Sequence, residues 1–116
     1  MKKMLIAALA GLVASSALAG EKERQNSVKN LALLMIAEAN CPNLRPNYTA
    51  MGLGMSLLGV SAKDWGDGGR YHDLLIAEIE RQKTEIVRMS KENFCILMED
   101  GFGPDGVIAS GMIKRR

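Results

Sequence analysis

The sequence predicts an all-α protein, a small up-down bundle of three or four helices stapled by one disulfide. Apolar residues recur at helical spacing over most of the chain after residue 20. The chain has two cysteines, which is an even number, and its N-terminus has the pattern of an export signal. Exported proteins reach an oxidising compartment, where a pair of cysteines forms a disulfide.

The first 19 residues have the three parts of a secretory signal peptide. A basic head (1–3) precedes an apolar run (4–18), and Ala17-Leu18-Ala19 supplies the small residues of a cleavage site. The run is shorter than the roughly 20 residues of a membrane span, and an uncleaved anchor helix is the alternative. We predict cleavage after Ala19, one helical domain over 20–116 without a stable membrane anchor, and export to the periplasm of a Gram-negative bacterium.

Cleavage would remove the net positive charge of the chain. The 116 residues contain 15 Lys and Arg against 13 Asp and Glu, and Lys2 and Lys3 supply the difference. The remaining 97 residues are therefore balanced in charge. Since no basic excess remains, the composition gives no reason to expect nucleic acid or an anionic lipid surface as a partner.

Cys41 and Cys95 are predicted to form the disulfide. Closing a loop of more than 50 residues stabilises the fold by roughly 4 kcal/mol when the gain comes from restricting the unfolded chain. Redox chemistry is the alternative, but neither cysteine belongs to a Cys-x-x-Cys motif.

Two helices are predicted before residue 61. The first covers Glu21–Asn40 and ends at Cys41-Pro42, because proline restricts the residue before it and lacks an amide hydrogen. Its apolar stripe consists of Val28, Leu31, Ala32, Met35, Ile36 and Ala39, and Leu33 and Leu34 widen it. The second extends from an Asn47 cap to about Val60, and its stripe consists of Tyr48, Met51, Met55 and Leu58. Its glycines predict that another helix backbone approaches closely, and a glycine-rich loop is the alternative.

The second half of the chain is predicted to contain one long helix and one short one. A turn capped by Ser61 and Asp64 precedes the long helix, which covers Tyr71–Asp100 and ends at a left-handed Gly101. Its solvated face carries Glu78, Arg81, Glu85, Arg88 and Glu92. The short helix covers Val107–Ile113, with Ile108 and Met112 facing the body of the protein.

No catalytic or metal-binding motif is evident. His72, the sole histidine, lies beside Asp73 without a nucleophile on a sharp turn, so we interpret it as a surface or capping residue. Met51 and Met55 are weak candidates for binding Cu(I), since thioethers are soft ligands. The competing interpretation is that they fill gaps in a helical core. We therefore expect no enzyme activity and no cofactor.

Trp65, Arg70 and Tyr71 surround a glycine-rich turn and are the candidate partner-binding residues. Aromatic residues and arginine dominate binding hot spots, so the three would form an anchor if they were exposed together. The alternative is that Trp65 plugs one end of the bundle, because tryptophan is usually largely buried.

The sequence is compatible with three functions, and it does not determine the oligomeric state. The first is a non-enzymatic protein-interaction module that binds another envelope protein. The second is a periplasmic acid or stress chaperone, and the third is a soft-metal carrier. Export, about 100 residues, helices and one disulfide are typical of small bacterial envelope proteins, which include acid-stress chaperones and immunity proteins.

Overall fold

The computed structural model describes residues 16–115, which form five helices and two short strands. The helices are α1 (Ser16–Asn40), α2 (Tyr48–Leu57), α3 (Ala62–Trp65), α4 (His72–Met89) and α5 (Lys91–Phe102). The strands are β1 (Leu44–Pro46) and β2 (Ile113–Arg115). The predicted all-α bundle is thus confirmed, with a small sheet added to it. The predicted signal peptide covers residues 1–19, of which 1–15 lie outside the described residues.

Helix α1 is the central element. It packs mainly against α4 and also contacts β1, α5 and α2. Most of its predicted stripe is buried, but Met35 and Ala39 are exposed while Leu34 is fully buried. The buried surface of α1 is wider than a single helical row, because neighbouring elements cover the helix on more than one side.

The bond between Cys41 and Cys95 is present, as predicted. Their Cα atoms are 5.7 Å apart, within the usual range for a disulfide. Cys41 directly follows the last residue of α1, and Cys95 lies in the first half of α5. The bond therefore fixes α5 to the end of the central helix.

The predicted long helix is wrong at Ser90, where the chain divides into α4 and α5. Ser90 has φ 83° and ψ 152°, which no helix tolerates, and its Oγ accepts a hydrogen bond from the amide of Asn93. Apolar periodicity continues across this break, so spacing alone does not reveal it. The turn at Ser90 allows α5 to pack against α4 and α1 together.

The predicted left-handed Gly101 is also wrong, because α5 continues through this residue to Phe102. Gly101 is buried, and a Cβ placed on it would lie 2.9 Å from Ile108 Cδ1. The exposed side chain of Ile108 would have to shift to make room for that Cβ.

The predicted C-terminal helix over Val107–Ile113 is wrong as well. The segment forms turns, with a left-handed Gly111 (φ 79°), and leads into β2. Strands β1 and β2 are antiparallel, with Arg45 opposite Lys114 and Pro46 opposite Ile113. Each strand has only three residues, and the two strands lie far apart in the sequence. A pattern this short does not predict a strand.

The sequence predicts Glu78 on a solvated face, and this prediction is wrong. The side chain is buried at 7% exposure. Its Oε1 accepts hydrogen bonds from Arg81 Nη2 at 2.6 Å and from Gln82 Nε2 at 3.1 Å. The Arg81 bond holds the pKa of Glu78 below its ordinary value, with burial acting in the opposite direction and with Gln82 and Lys29 of α1 adding to the lowering. Glu78 is therefore a paired carboxylate that faces α1.

Within the described residues, no helix combines the length and the apolar character needed to cross a bilayer.

Candidate functional site

The three candidate partner-binding residues, Trp65, Arg70 and Tyr71, are not exposed together. Tyr71 is buried at 4% exposure, and its hydroxyl donates a hydrogen bond of 2.7 Å to Glu21 Oε2 on α1. Trp65 is partly buried against the core. Arg70 is exposed, and its guanidinium carbon lies 4.8 Å from the centre of the Tyr71 ring.

The polar contacts of this corner hold the chain together. Arg70 donates to Asp64 Oδ1 at 3.1 Å and to the Gly59 carbonyl at 3.2 Å. The Asp64 carboxylate in turn accepts a bond of 2.8 Å from the amide of Ser61, and the two residues cap the short α3, where the sequence predicted a capped turn. The corner therefore joins the end of α2, the short α3 and the start of α4, and Trp65 supplies part of its packing.

His72 belongs to the same junction. Its Nδ1 lies 3.2 Å from the carbonyl oxygen of Trp65, and its Nε2 lies 3.6 Å from Asp67 Oδ1. Through these contacts His72 joins the end of α3 to the start of α4.

A second feature is a groove between α1 and α2, which we call the apolar groove. Its volume is about 630 Å³, and it is open to solvent along one side. The larger apolar residues that line it are Leu31, Met35, Met51, Met55, Val60 and Trp65. The two methionines of α2, the weak Cu(I) candidates, are buried and form its floor. Within the described residues, no group of three or more His, Cys, Asp or Glu is placed to hold a metal.

The groove is open because α2 lacks a neighbour on this side. Nothing lies within 4 Å of the position that a Cβ would take on Gly52 or on Gly54. The predicted approach of another helix backbone to these glycines is therefore wrong for this chain. The outer face of α2 also presents Leu53 at 65% exposure and Leu57 at 89% exposure.

The apolar groove continues into a polar cavity at the N-terminal end of α2. This cavity has a volume of about 770 Å³ and shares Glu38 and Tyr48 with the groove. Arg45, Lys114 and Arg115 also line it. We call it the cationic end of the groove.

Of the three cations at this end, one forms an ion pair within the described part of the chain and two do not. Arg115 bonds to Glu99, whereas Arg45 and Lys114 have no acidic partner among residues 16–115. These two lie directly opposite each other in the β1–β2 ladder, and like charges in that position repel.

Tyr48 and Glu38 mark the boundary between the two parts of the groove. Burial raises the pKa of Tyr48, and the nearby Glu38 carboxylate raises it further. Tyr48 is therefore neutral at physiological pH, and its hydroxyl is a hydrogen-bond donor.

Sequence reasoning included Met51, Met55 and Trp65 among its candidates but missed the pair of Arg45 and Lys114. No local sequence pattern indicates that these two residues lie next to each other, because 69 positions separate them. Comparison with known proteins adds no further assignment: no family model, no curated protein and no solved structure matches this chain.

Proposed function

We propose that this protein is an exported, non-enzymatic interaction module of the periplasm, and that its apolar groove binds a segment of another envelope protein. The observation that carries the proposal is the groove itself, an apolar cleft of about 630 Å³ whose floor is formed by Met51 and Met55. The Cys41–Cys95 disulfide and the export signal of the sequence support the compartment.

The composition of the groove suits the binding of an apolar segment. Methionine is unbranched and polarisable, so a methionine floor adapts to partners of different shape. Trp65 and Tyr48 provide amphipathic rings at the wall and the rim, a residue type that is enriched at binding hot spots. An amphipathic helix in such a groove buries its apolar face and leaves its polar face in water.

The glycines of α2 give independent support. Each glycine within a helix costs about 1 kcal/mol relative to alanine. Gly52 and Gly54 gain no packing inside this chain, since nothing lies near them. At Gly52, which lines the groove, the missing side chain leaves room for the backbone of an occupant.

A second candidate function, an acid-responsive chaperone, is favoured by one specific contact. Glu21 connects α1 to Tyr71, and the Tyr71 hydrogen bond lowers the pKa of Glu21. Protonation in acid would weaken this link and expose part of the apolar face of α1. This function predicts that binding of an unfolded client begins only below about pH 4.5, the ordinary carboxyl pKa.

Site-specific photo-crosslinking in the cell envelope tests the leading proposal. The photoreactive residue is placed at Ser56, which lines the groove, and in a matched control at Val87, which is 86% exposed on α4. We expect one stoichiometric partner from Ser56 and none from Val87, with the crosslink mapping to an amphipathic segment. The purified segment should then bind the purified protein.

Two tryptophan variants complete the test. Gly52→Trp fills the groove and should abolish binding of the segment, while Ala77→Trp adds the same bulk to an exposed position of α4 and should leave binding unchanged. Equal crosslinking from Ser56 and Val87, or binding that Gly52→Trp does not affect, would contradict the proposal.

A further inference from the structure

We infer that the occupant of the groove is an amphipathic helix of a partner protein that carries acidic side chains at one end, bound there by Arg45 and Lys114. This inference rests on the proposed function and adds the chemistry of the partner. It follows from the position of the cations, from the continuity of the two cavities and from the openness of the groove.

The cations are positioned for a ligand outside the chain. Arg45 and Lys114 are exposed, face each other across the β1–β2 ladder and have no acidic partner among residues 16–115. An Arg–Lys pair opposite each other is destabilising in the free protein. A carboxylate placed between the two would remove the repulsion, and a planar guanidinium binds carboxylates in a bidentate manner.

The cationic end and the apolar groove adjoin each other at the N-terminal end of α2. Glu38 and Tyr48 line both cavities. The apolar lining extends from this boundary along α2 to Trp65 at the opposite end. Since α2 has ten residues, the groove accommodates roughly 15 Å of helix at 1.5 Å per residue, which is between two and three turns.

This arrangement sets the pattern of the bound helix. Its apolar residues, at i, i+3 or i+4 and i+7, would cover Met51, Met55 and Trp65. Its acidic residues would follow about one turn beyond, over Arg45 and Lys114.

A helix fits these features better than a single-chain anionic lipid. A small-molecule site encloses most of its ligand, whereas this groove is open to solvent and a helix needs only one face covered. The Glu38 carboxylate also lies at the boundary between the apolar lining and the cations. An acyl chain would have to lie against this charge, while a helix can present a lysine to it.

The probe is a synthetic amphipathic helical peptide with apolar residues at i, i+3, i+4 and i+7 and three glutamates at one end. It is made with the glutamates at either terminus, and a matched peptide has glutamine in their place. We expect the glutamate peptide to bind about five- to tenfold more tightly than the glutamine peptide at low salt, which is the effect of two exposed ion pairs. The difference should shrink as salt screens these pairs.

Charge reversal locates the effect. In Arg45→Glu/Lys114→Glu, the preference for glutamate should be lost, and a peptide with lysines at that end should bind instead. The matched control Lys22→Glu/Lys91→Glu makes the same change in net charge at exposed positions outside both cavities and should keep the preference. Thermal melts of both double variants verify that each one folds.

The outcomes separate this inference from the proposed function. If both peptides bind equally to the native chain and Gly52→Trp abolishes both, the groove is a binding site but the acidic end is wrong. If neither peptide binds, the proposed function fails as well. Tighter binding of oleate than of the glutamate peptide, abolished by Arg45→Glu/Lys114→Glu, would overturn the helix in favour of a lipid.

Discussion

The hydroxyl of Tyr71 donates a hydrogen bond of 2.7 Å to Oε2 of Glu21, a residue 50 positions earlier in the chain. The same carboxylate oxygen accepts a bond from Arg24 Nη2 at 3.1 Å. This contact ties the beginning of α1 to the residue that precedes α4, at the opposite end of α1 from the disulfide. The central helix is thus fixed to the rest of the protein at both ends.

Tyr71 is expected to stabilise the fold mainly through its ring. Tyr71→Ala should lower the free energy of unfolding by about 3–5 kcal/mol, because it empties a buried site. Tyr71→Phe keeps the ring and removes only the bond to Glu21, so its loss should be much smaller. Urea denaturation of the oxidised protein measures both, and an equal loss in the two variants would show that the hydroxyl carries the effect.

Stability should decrease in acid because of Glu78. Its pKa lies below the ordinary value of 4.5 in the folded state, so its contribution is present above that pH and is lost as the pH falls through the folded pKa. Glu78→Gln should cost about 1 kcal/mol at pH 7, since Arg81 is more than half exposed and the pair is partly screened. The difference in free energy of unfolding between the native and variant proteins should shrink in urea titrations as the pH falls below 4.5. A constant difference over this range would contradict the assignment.

Ser90 is strained, and glycine should relieve the strain. A non-glycine residue at φ 83° and ψ 152° costs on the order of 1–3 kcal/mol. Ser90→Gly should therefore raise the free energy of unfolding by about 1 kcal/mol, because glycine at a helix cap costs only a few tenths relative to serine. Ser90→Ala keeps the strain and loses the bond to the amide of Asn93, so it should destabilise. In thermal melts, Tm should be highest for Ser90→Gly, intermediate for the native protein and lowest for Ser90→Ala. Stabilisation by alanine would contradict this backbone conformation.

The two open glycines of α2 should separate stability from binding. Gly52→Ala and Gly54→Ala should each stabilise the protein by about 1 kcal/mol, since both positions have free space and helical backbone. Only Gly52 lines the groove, so only its replacement should weaken binding of the glutamate peptide. Thermal melts and peptide titrations of the two variants make the comparison, and an equal effect of both on binding would place the occupant elsewhere on α2.

The disulfide should account for much of the net stability. Cys41→Ser/Cys95→Ser opens a loop with a sequence separation of 54, and the expected loss is about 4 kcal/mol. The free energy of unfolding of a native protein is about 5–15 kcal/mol, so the variant should be partly unfolded at elevated temperature. Circular dichroism melts with and without reductant measure the loss, and a reductant should have no effect on the serine variant.

Local sequence rules correctly predicted the features that depend on short stretches of chain. Apolar periodicity predicted α1 from Glu21 onward, and Pro42 predicted its end. Asn47 predicted the start of α2, and Ser61 with Asp64 predicted a capped turn where the short α3 lies. The cysteine pair followed from an even cysteine count together with the predicted export signal. Each of these rests on residues close together in sequence, or on a count that needs no geometry.

The tertiary structure alone decided which surfaces meet. The break at Ser90 satisfies the packing of α5 on α1 and the disulfide, while local periodicity favours one continuous helix. Glu78 is buried because α1 covers it, although its own helix places it among charged neighbours. Arg45 and Lys114 come together only because the C-terminus returns to pair with β1. The apolar groove likewise exists because α2 packs mainly on α1 and leaves Gly52 uncovered, a consequence of long-range packing that no local pattern encodes.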